Sequence, residues 1–361
     1  MQKIKKGFIL PSAALTIKPG QVKYFQYSEK RPEQGDVVYG EIIRIGQHSS
    51  LENQYGRIHM IHNNTKALFV YGNRYAPDYY EGLIPECVTS EVDLLARSGI
   101  VGFVRTKSPF VKDPTRVRIL GYVCDRDGVI LNTRDYSIIR PKKRHKTFPR
   151  SPLILICGTS MNSGKSLAAA ACCKVLSSLG HKVRASKVTG TASLKDILYM
   201  NDAGAKYYSD FTHLGYPSTY LMSEKELLSI FDKLDLKYAN NPKNYWVVEF
   251  ADGIIQRETS ILLNSPEIKS RIHKLIFCAV DAFGMIGGLR IMKEKFGLVP
   301  DALSGLCSSS PLFIRELSDF TEIPLFNSAN ERVDQLASIL VRPKKRGKTD
   351  IKSPLKRVSN F

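Results

Sequence analysis

Long apolar runs are missing from this chain of 361 residues. No segment approaches the ~18 or more apolar residues that a membrane-spanning helix needs, so none is expected. Paired cysteine spacing is missing as well. The seven cysteines are an odd number, Cys172 and Cys173 are adjacent, and no C-x-x-C occurs. This suggests neither a disulfide framework nor a zinc site, and it fits a reducing cytoplasm. The seven histidines have no metal-ligand spacing, and His59 and His62 fit an ordinary strand. No solenoid-type repeat is visible.

Acids are scarce, with 34 Asp and Glu against 53 Lys and Arg, a net charge of +19. The surplus is concentrated. Arg140–Arg150, "RPKKRHKTFPR", carries six bases and no acid, and Arg342–Arg357 carries eight bases and one acid. Together they hold thirteen of the nineteen net charges. Such runs read as a solvated linker and tail that could also hold a nucleic-acid backbone.

The first run divides two patterns. Before it, short β-rich segments alternate with turn signals: 36–46, 56–62, 66–72, 99–106 and 115–131, the last with a "DRDG" hairpin turn. Helix-like spacing first appears near Ser90–Arg97. Residues 1–138 therefore read as a small β-barrel or sandwich, and 139–150 as a basic linker. Tyr71, Arg74, Tyr75, Tyr79 and Tyr80 interleave aromatics with a base, as a stacking platform or as a cover for a barrel end. After the run, apolar strands at 152–157, 182–187, 245–250, 274–280 and 302–307 alternate with helical stretches. That order predicts an α/β domain over 151–341 with a parallel sheet covered on both faces. The tail 342–361 reads as disordered.

"GTSMNSGKS" follows the first of these strands and precedes an alanine-rich helix. Strand, glycine-containing loop and helix in this order make a phosphate cradle from backbone N–H groups and a helix N-terminus. Gly158, Thr159, Asn162, Ser163, Gly164, Lys165 and Ser166 are the expected nucleotide-binding residues. Gly164 permits close backbone approach, Lys165 reaches the terminal phosphates and the Ser166 hydroxyl ligates Mg²⁺. The first glycine stands six residues before Gly164, one more than in the usual G-x-x-x-x-G-K-[ST] pattern.

Three later segments extend the motif: "SKVTGT" with Lys187, "MNDAGA" with Asp202, and "WVVEFADG" with Glu249. The ordered set, over about residues 152–330, resembles the dethiobiotin synthetase-like P-loop proteins, relatives of the partition ATPases. The whole chain resembles a bacterial family in which a β domain precedes such a P-loop domain. The resemblance implies an ATP- and Mg²⁺-dependent ligase- or kinase-like enzyme. In it Lys187 contacts the reacting phosphate, Asp202 and Glu249 join Ser166 at the metal, and Thr189, Gly190 and Thr191 line the substrate. It also implies a homodimer. The chain departs from the pattern at Ser160, where an acid is usual, at Phe250 and Asp252 within the glycine run, and at Ser309, where a base-reading Asn is usual.

Next to the metal strand, Asp252 could orient a nucleophile and Arg257 neutralise transition-state charge, with Gln256, Glu258 and Asp281 nearby. In "DFTHLGYPSTYL", His213, Ser218 and Thr219 are either substrate contacts or parts of a packed loop. Three functions remain open: phosphoryl transfer to a small acceptor, the same chemistry on DNA or RNA, and a nucleotide-dependent switch. The switch lacks the extra loop lysine of the partition ATPases, because that position is Ser160.

Overall fold

In the first 140 residues the alternating apolar pattern is satisfied by a sheet that closes on itself. The structure, a computed structural model, describes residues 1–5, 7–141, 143–330 and 332–341. The basic tail expected over 342–361 lies outside the described residues. The chain forms two units. One is Met1–Arg140 with Gly190–Lys195 and Ser209–Ser223, and the other is Pro141–Thr189 with Asp196–Tyr208 and the chain from Glu224 onward. The sequence reading placed both of those short inserts in the α/β domain.

In the first unit, Val37–Arg44 pairs antiparallel with Lys66–Tyr71 and with Thr115–Cys124. Glu91–Ala96 pairs antiparallel with Thr115–Cys124 and with Ile100–Lys107. A short parallel pairing of Ile100–Lys107 with Lys66–Tyr71 completes the ring. Five strands thus make a closed barrel rather than a sandwich. Val38, Ile42, Ala67, Phe69, Val92, Leu94, Val101 and Val117 form one core cluster. The intervening Val37, Tyr39, Leu68, Val70 and Leu95 pack with Ala13, Ala14 and Ile17 in a second. Period-two alternation is therefore apolar on both faces here.

One expectation is corrected, and one of two alternatives is set aside. Ser90–Arg97 contains a strand, Glu91–Ala96, and not a helix. Its adjacent Leu94 and Leu95 mimic helical spacing, but each faces a different core. The tyrosine-rich segment is not an open platform. Tyr71 and Tyr80 are fully buried, and the Arg74 guanidinium lies 5.2 Å over the Tyr79 ring.

His48 ties the barrel together at Nε2, 3.0 Å from the Leu95 carbonyl and 2.9 Å from Arg74 Nη1. Burial, reinforced by the Arg74 charge, lowers its pKa from the ordinary 6.5 to about 4. A depressed histidine pKa means that the folded state resists protonation. Its stability contribution is present above about 6.5 and is lost as pH falls towards about 4. Urea midpoints measured across that window should fall with acidification, and His48→Gln should flatten the fall.

The second unit is built on a six-stranded sheet in the order Tyr207–Asp210, Lys182–Lys187, Asn244–Glu249, Leu153–Gly158, Ile272–Cys278, Ala302–Ser304. The pairings from Lys182–Lys187 across to Ala302–Ser304 are parallel. Every residue of Leu153–Gly158 is buried, as expected of a strand covered on both faces. The one tryptophan, Trp246, is also buried, and its indole N–H donates to Ser186 Oγ at 3.0 Å. Among the described residues eight α-helices follow in chain order: α1 (Lys165–Ser178), α2 (Leu194–Asp202), α3 (Glu224–Tyr238), α4 (Arg257–Asn264), α5 (Pro266–Arg271), α6 (Ala282–Phe296), α7 (Pro311–Ser318) and α8 (Val333–Leu340). The four consecutive alanines Ala168–Ala171 give α1 high helix propensity and let it lie close to the sheet.

The basic run is only partly solvated. Arg150 and Arg271 both pair with Asp235 of α3, whose carboxylate is fully buried. Lys146 stands 3.7 Å from the same carboxylate and 2.7 Å from Asp232 and Glu267. Two of the run's six bases therefore hold the sheet's covering helices. Asp235→Ala would leave the Arg150 guanidinium buried without its charge partner. That should cost about 3–5 kcal/mol in chemical unfolding of the second unit.

Candidate functional site

The phosphate loop is built where the Leu153–Gly158 strand gives way to α1. Gly164 takes φ +92°, a left-handed conformation that favours glycine. α1 then starts with no side-chain cap, whereas Gln256, Ser265, Asp281 and Ser310 cap α4 to α7. The first N–H groups of α1 therefore face the loop without a side-chain acceptor, the arrangement that suits an anion.

Lys165 is buried, and its ammonium donates to the Ser160 carbonyl at 2.5 Å and lies 3.4 Å from Ser163 Oγ. Ser166 Oγ donates to Glu249 Oε1 at 3.2 Å. Lys187 lies opposite Glu249 in strand register, with its ammonium 3.9 Å from Oε1. Burial acts to strip the proton from Lys187, but Asp196 and Glu249 outweigh it and raise the pKa. Asp252 adds to the same field. For Glu249 burial is the leading influence and raises the carboxyl pKa against the two lysines.

Glu249 Oε2 is buried with no hydrogen-bond partner. An orphaned carboxylate oxygen beside a serine hydroxyl is a donor set of hard oxygens. It fits a small divalent cation such as Mg²⁺.

The other predicted residues are distributed as follows. Thr159 and the exposed Asn162 lie on the loop, and Gly158 ends its strand. Thr189 is buried, with its hydroxyl accepting from the Ala251 N–H at 2.9 Å. Gly190 and Thr191 belong to the barrel unit, where Gly190 N–H donates to Thr219 Oγ1 and Thr191 bridges Ser218. Ser218 and Thr219 are buried, and His213 pairs with Asp210 at 2.8 Å, so the 210–221 segment is a packed loop. Arg257 pairs with the buried Glu258 at 2.6 Å, at the start of α4. Asp281 caps α6 through the Gly284 N–H.

Asp202 is corrected. It lies exposed at the last residue of α2, about 9 Å along the helix from Asp196. Asp196, in the first turn, is the carboxylate that reaches the cluster by pairing with Lys187. The sequence reading followed the Asp-Ala dipeptide and missed it. An acid in the first turn of the helix that follows Lys187 was the available signal. Gly305 was also missed. Its φ is +105°, and a Cβ there would stand 2.4 Å from both the Ser163 and Ala279 carbonyls. This glycine lets the chain after Ala302–Ser304 lie against the phosphate loop.

No family model matches the sequence. A comparison with curated proteins found no match either. Among solved structures, the chain is similar to the signal recognition particle receptor FtsY from Elizabethkingia anophelis in complex with GDP. The TM-score is 0.36 at 10% identity, covering 58% of this chain and 70% of that one. A second structure of that receptor gives 0.33 at 12%, covering 54% and 64%. FtsY from Mycoplasma mycoides gives 0.31 at 14%, covering 58% and 71%. These three are signal recognition particle receptors rather than dethiobiotin synthetases. The assignment of a P-loop α/β fold rests on the strand order and loop described above.

Gly305→Ala should strain the loop contact and cost about 1–3 kcal/mol in urea unfolding. It should also weaken pyrophosphate binding tenfold or more by calorimetry. Asp202→Asn should change neither quantity.

Proposed function

We propose that the chain is a P-loop enzyme that transfers the terminal phosphoryl group of ATP, with Mg²⁺, to a small carboxylate, carbamate or hydroxyl acceptor. The observation that carries this reading is the second buried lysine. Lys187 stands across Glu249 from the phosphate-loop serine and is held charged by Asp196 and Glu249. A loop that only bound nucleotide would need Lys165 alone. Two cations reaching the same carboxylate-lined space suit a group that gains charge separation as it leaves one oxygen for another.

In the proposed reaction an acceptor oxygen attacks the γ-phosphorus as the bond to the β–γ bridging oxygen breaks. Lys165 and the α1 N–H groups receive the negative charge of the departing diphosphate. Lys187 neutralises the equatorial oxygens of the transferred group, and Asp252 is the candidate for orienting the acceptor and, where that is a hydroxyl, for taking its proton. Ser166 and Glu249 would hold Mg²⁺, which when bound draws charge from the phosphates. The buried surroundings of Lys187 and Glu249 exclude water and strengthen these interactions.

A nucleic-acid acceptor receives less support from the basic run, because Lys146 and Arg150 are engaged in ion pairs with α3.

ADP release from ATP, with GTP run as the competing donor, tests the reading across a panel of small carboxylates and alcohols. Lys165→Ala should abolish nucleotide binding. Lys187→Met should lower turnover by about 10²-fold or more while changing nucleotide Kd by less than about threefold. Equal losses of binding in both variants would make Lys187 a part of the binding loop only. Failure of the wild-type chain to bind either nucleotide would overturn the proposal.

A further inference from the structure

A second pocket lies in the α/β unit at the opposite, amino-terminal end of the sheet. It encloses about 320 Å³, within the range of small-molecule sites. Lys143 of the basic run, Arg184, Tyr207, Lys237 and Asn244 line it, and no carboxylate does so among the described residues. These residues come from the starts of three neighbouring strands, the end of α3 and the basic run. None of them takes part in the phosphate-loop cluster.

Asn244 distinguishes this pocket from a surface hollow. The residue is only 5% exposed, yet its side-chain Oδ1 is buried with no hydrogen-bond partner. A buried acceptor left in this state costs about 1–3 kcal/mol, so it marks a place where a donor is expected. Neighbouring polar groups are already committed. Asn240 Oδ1 accepts from the Thr147 N–H, and Asn241 Oδ1 accepts from the Lys243 N–H. The Arg184 guanidinium lies 4.3 Å over the Tyr207 ring, which makes a flat wall beside the amide.

We propose that this pocket takes a nucleotide unit. A base N–H would donate to Asn244 Oδ1 with the heterocycle against the Arg184–Tyr207 wall, and the phosphate would sit by Lys143 and Lys237. Side-chain amides read base edges through this kind of contact, a flat cation–aromatic wall accepts any base face, and the acid-free rim suits a phosphate. The unit's source is either a free mononucleotide or the phosphorylated end of a strand. The pocket does not depend on the phosphoryl-transfer reading.

The test uses the full chain carrying Lys165→Ala, so that the phosphate loop contributes no signal. AMP, GMP, CMP and UMP are titrated by calorimetry, and a 5′-phosphorylated hexadeoxynucleotide by fluorescence anisotropy. Saturable one-to-one binding of at least one probe is expected, weakened tenfold or more by Asn244→Ala and about threefold by Lys143→Ala. Tighter binding of the hexamer than of any mononucleotide would assign the site to strand ends, and the reverse order would assign it to free nucleotide. The unfolding midpoint of Asn244→Ala should hold or rise, since the substitution removes an unpaired acceptor. If that variant fails to fold, Asn244 is structural and the base-reading role is overturned, while the exposed Lys143 and the half-buried Lys237 still report on the phosphate. Absence of saturable binding by all five probes, or affinities unmoved in both variants, would overturn the site as a whole.

Discussion

A carboxylate sealed at the end of a central parallel strand governs how the second unit is put together. Ionised and alone, Glu249 would carry a desolvation penalty of several kcal/mol. Its neighbours answer that penalty from different parts of the chain. Strand register brings Lys187 opposite, the start of α1 brings the Ser166 hydroxyl to Oε1, and the first turn of α2 brings Asp196 to Lys187. The arrangement still leaves Oε2 unpaired. The cluster therefore sets one ammonium against two carboxylates and is short of positive charge, which is the condition under which a divalent cation binds. A network closed by hydrogen bonds alone would have been a better structural pin and a worse site.

Much of this could be read in advance, and the reason is local. The phosphate loop is a contiguous stretch whose strand, turn and helix each carry their own signature, so Gly158–Ser166 were found together. Lys187 and Glu249 were found because each ends an apolar strand, and the ends of parallel strands are where such folds gather their chemistry. Asp196 was missed for a physical reason. Its part depends on which turn of α2 faces the sheet's carboxyl edge, and a dipeptide motif does not report that phase. Gly305 is a packing requirement between two loops remote in sequence, and nothing local marks it. In the barrel the same limit applied to Glu91–Ala96, whose adjacent leucines serve two different cores.

Charge was the least legible property, because composition counts bases without saying what they face. The run at 140–150 looked like a solvated linker. Its Arg150 and Lys146 instead meet the buried Asp235, so part of the chain's positive surplus is internal and stabilising. With those two set aside, Lys143 is the base of the run that lines the pocket at the other end of the sheet.

The two ends of the sheet thus solve different electrostatic problems. At the carboxyl ends both signs are packed within a few ångströms, with Lys187 pinned by carboxylates and Lys165 by the Ser160 carbonyl. This pairing suits the proposed phosphoryl transfer, because each lysine has a protein partner to return to once a phosphate leaves. At the amino ends the lining is basic and aromatic, and its unpaired group is a neutral amide acceptor rather than a carboxylate. Among the described residues such a pocket offers no carboxylate to balance a metal, so it is suited to recognition. The division of labour follows from the parallel sheet. Its helices start on one side, where their N-termini favour anions that react, and end on the other, where side chains alone must supply the positive charge.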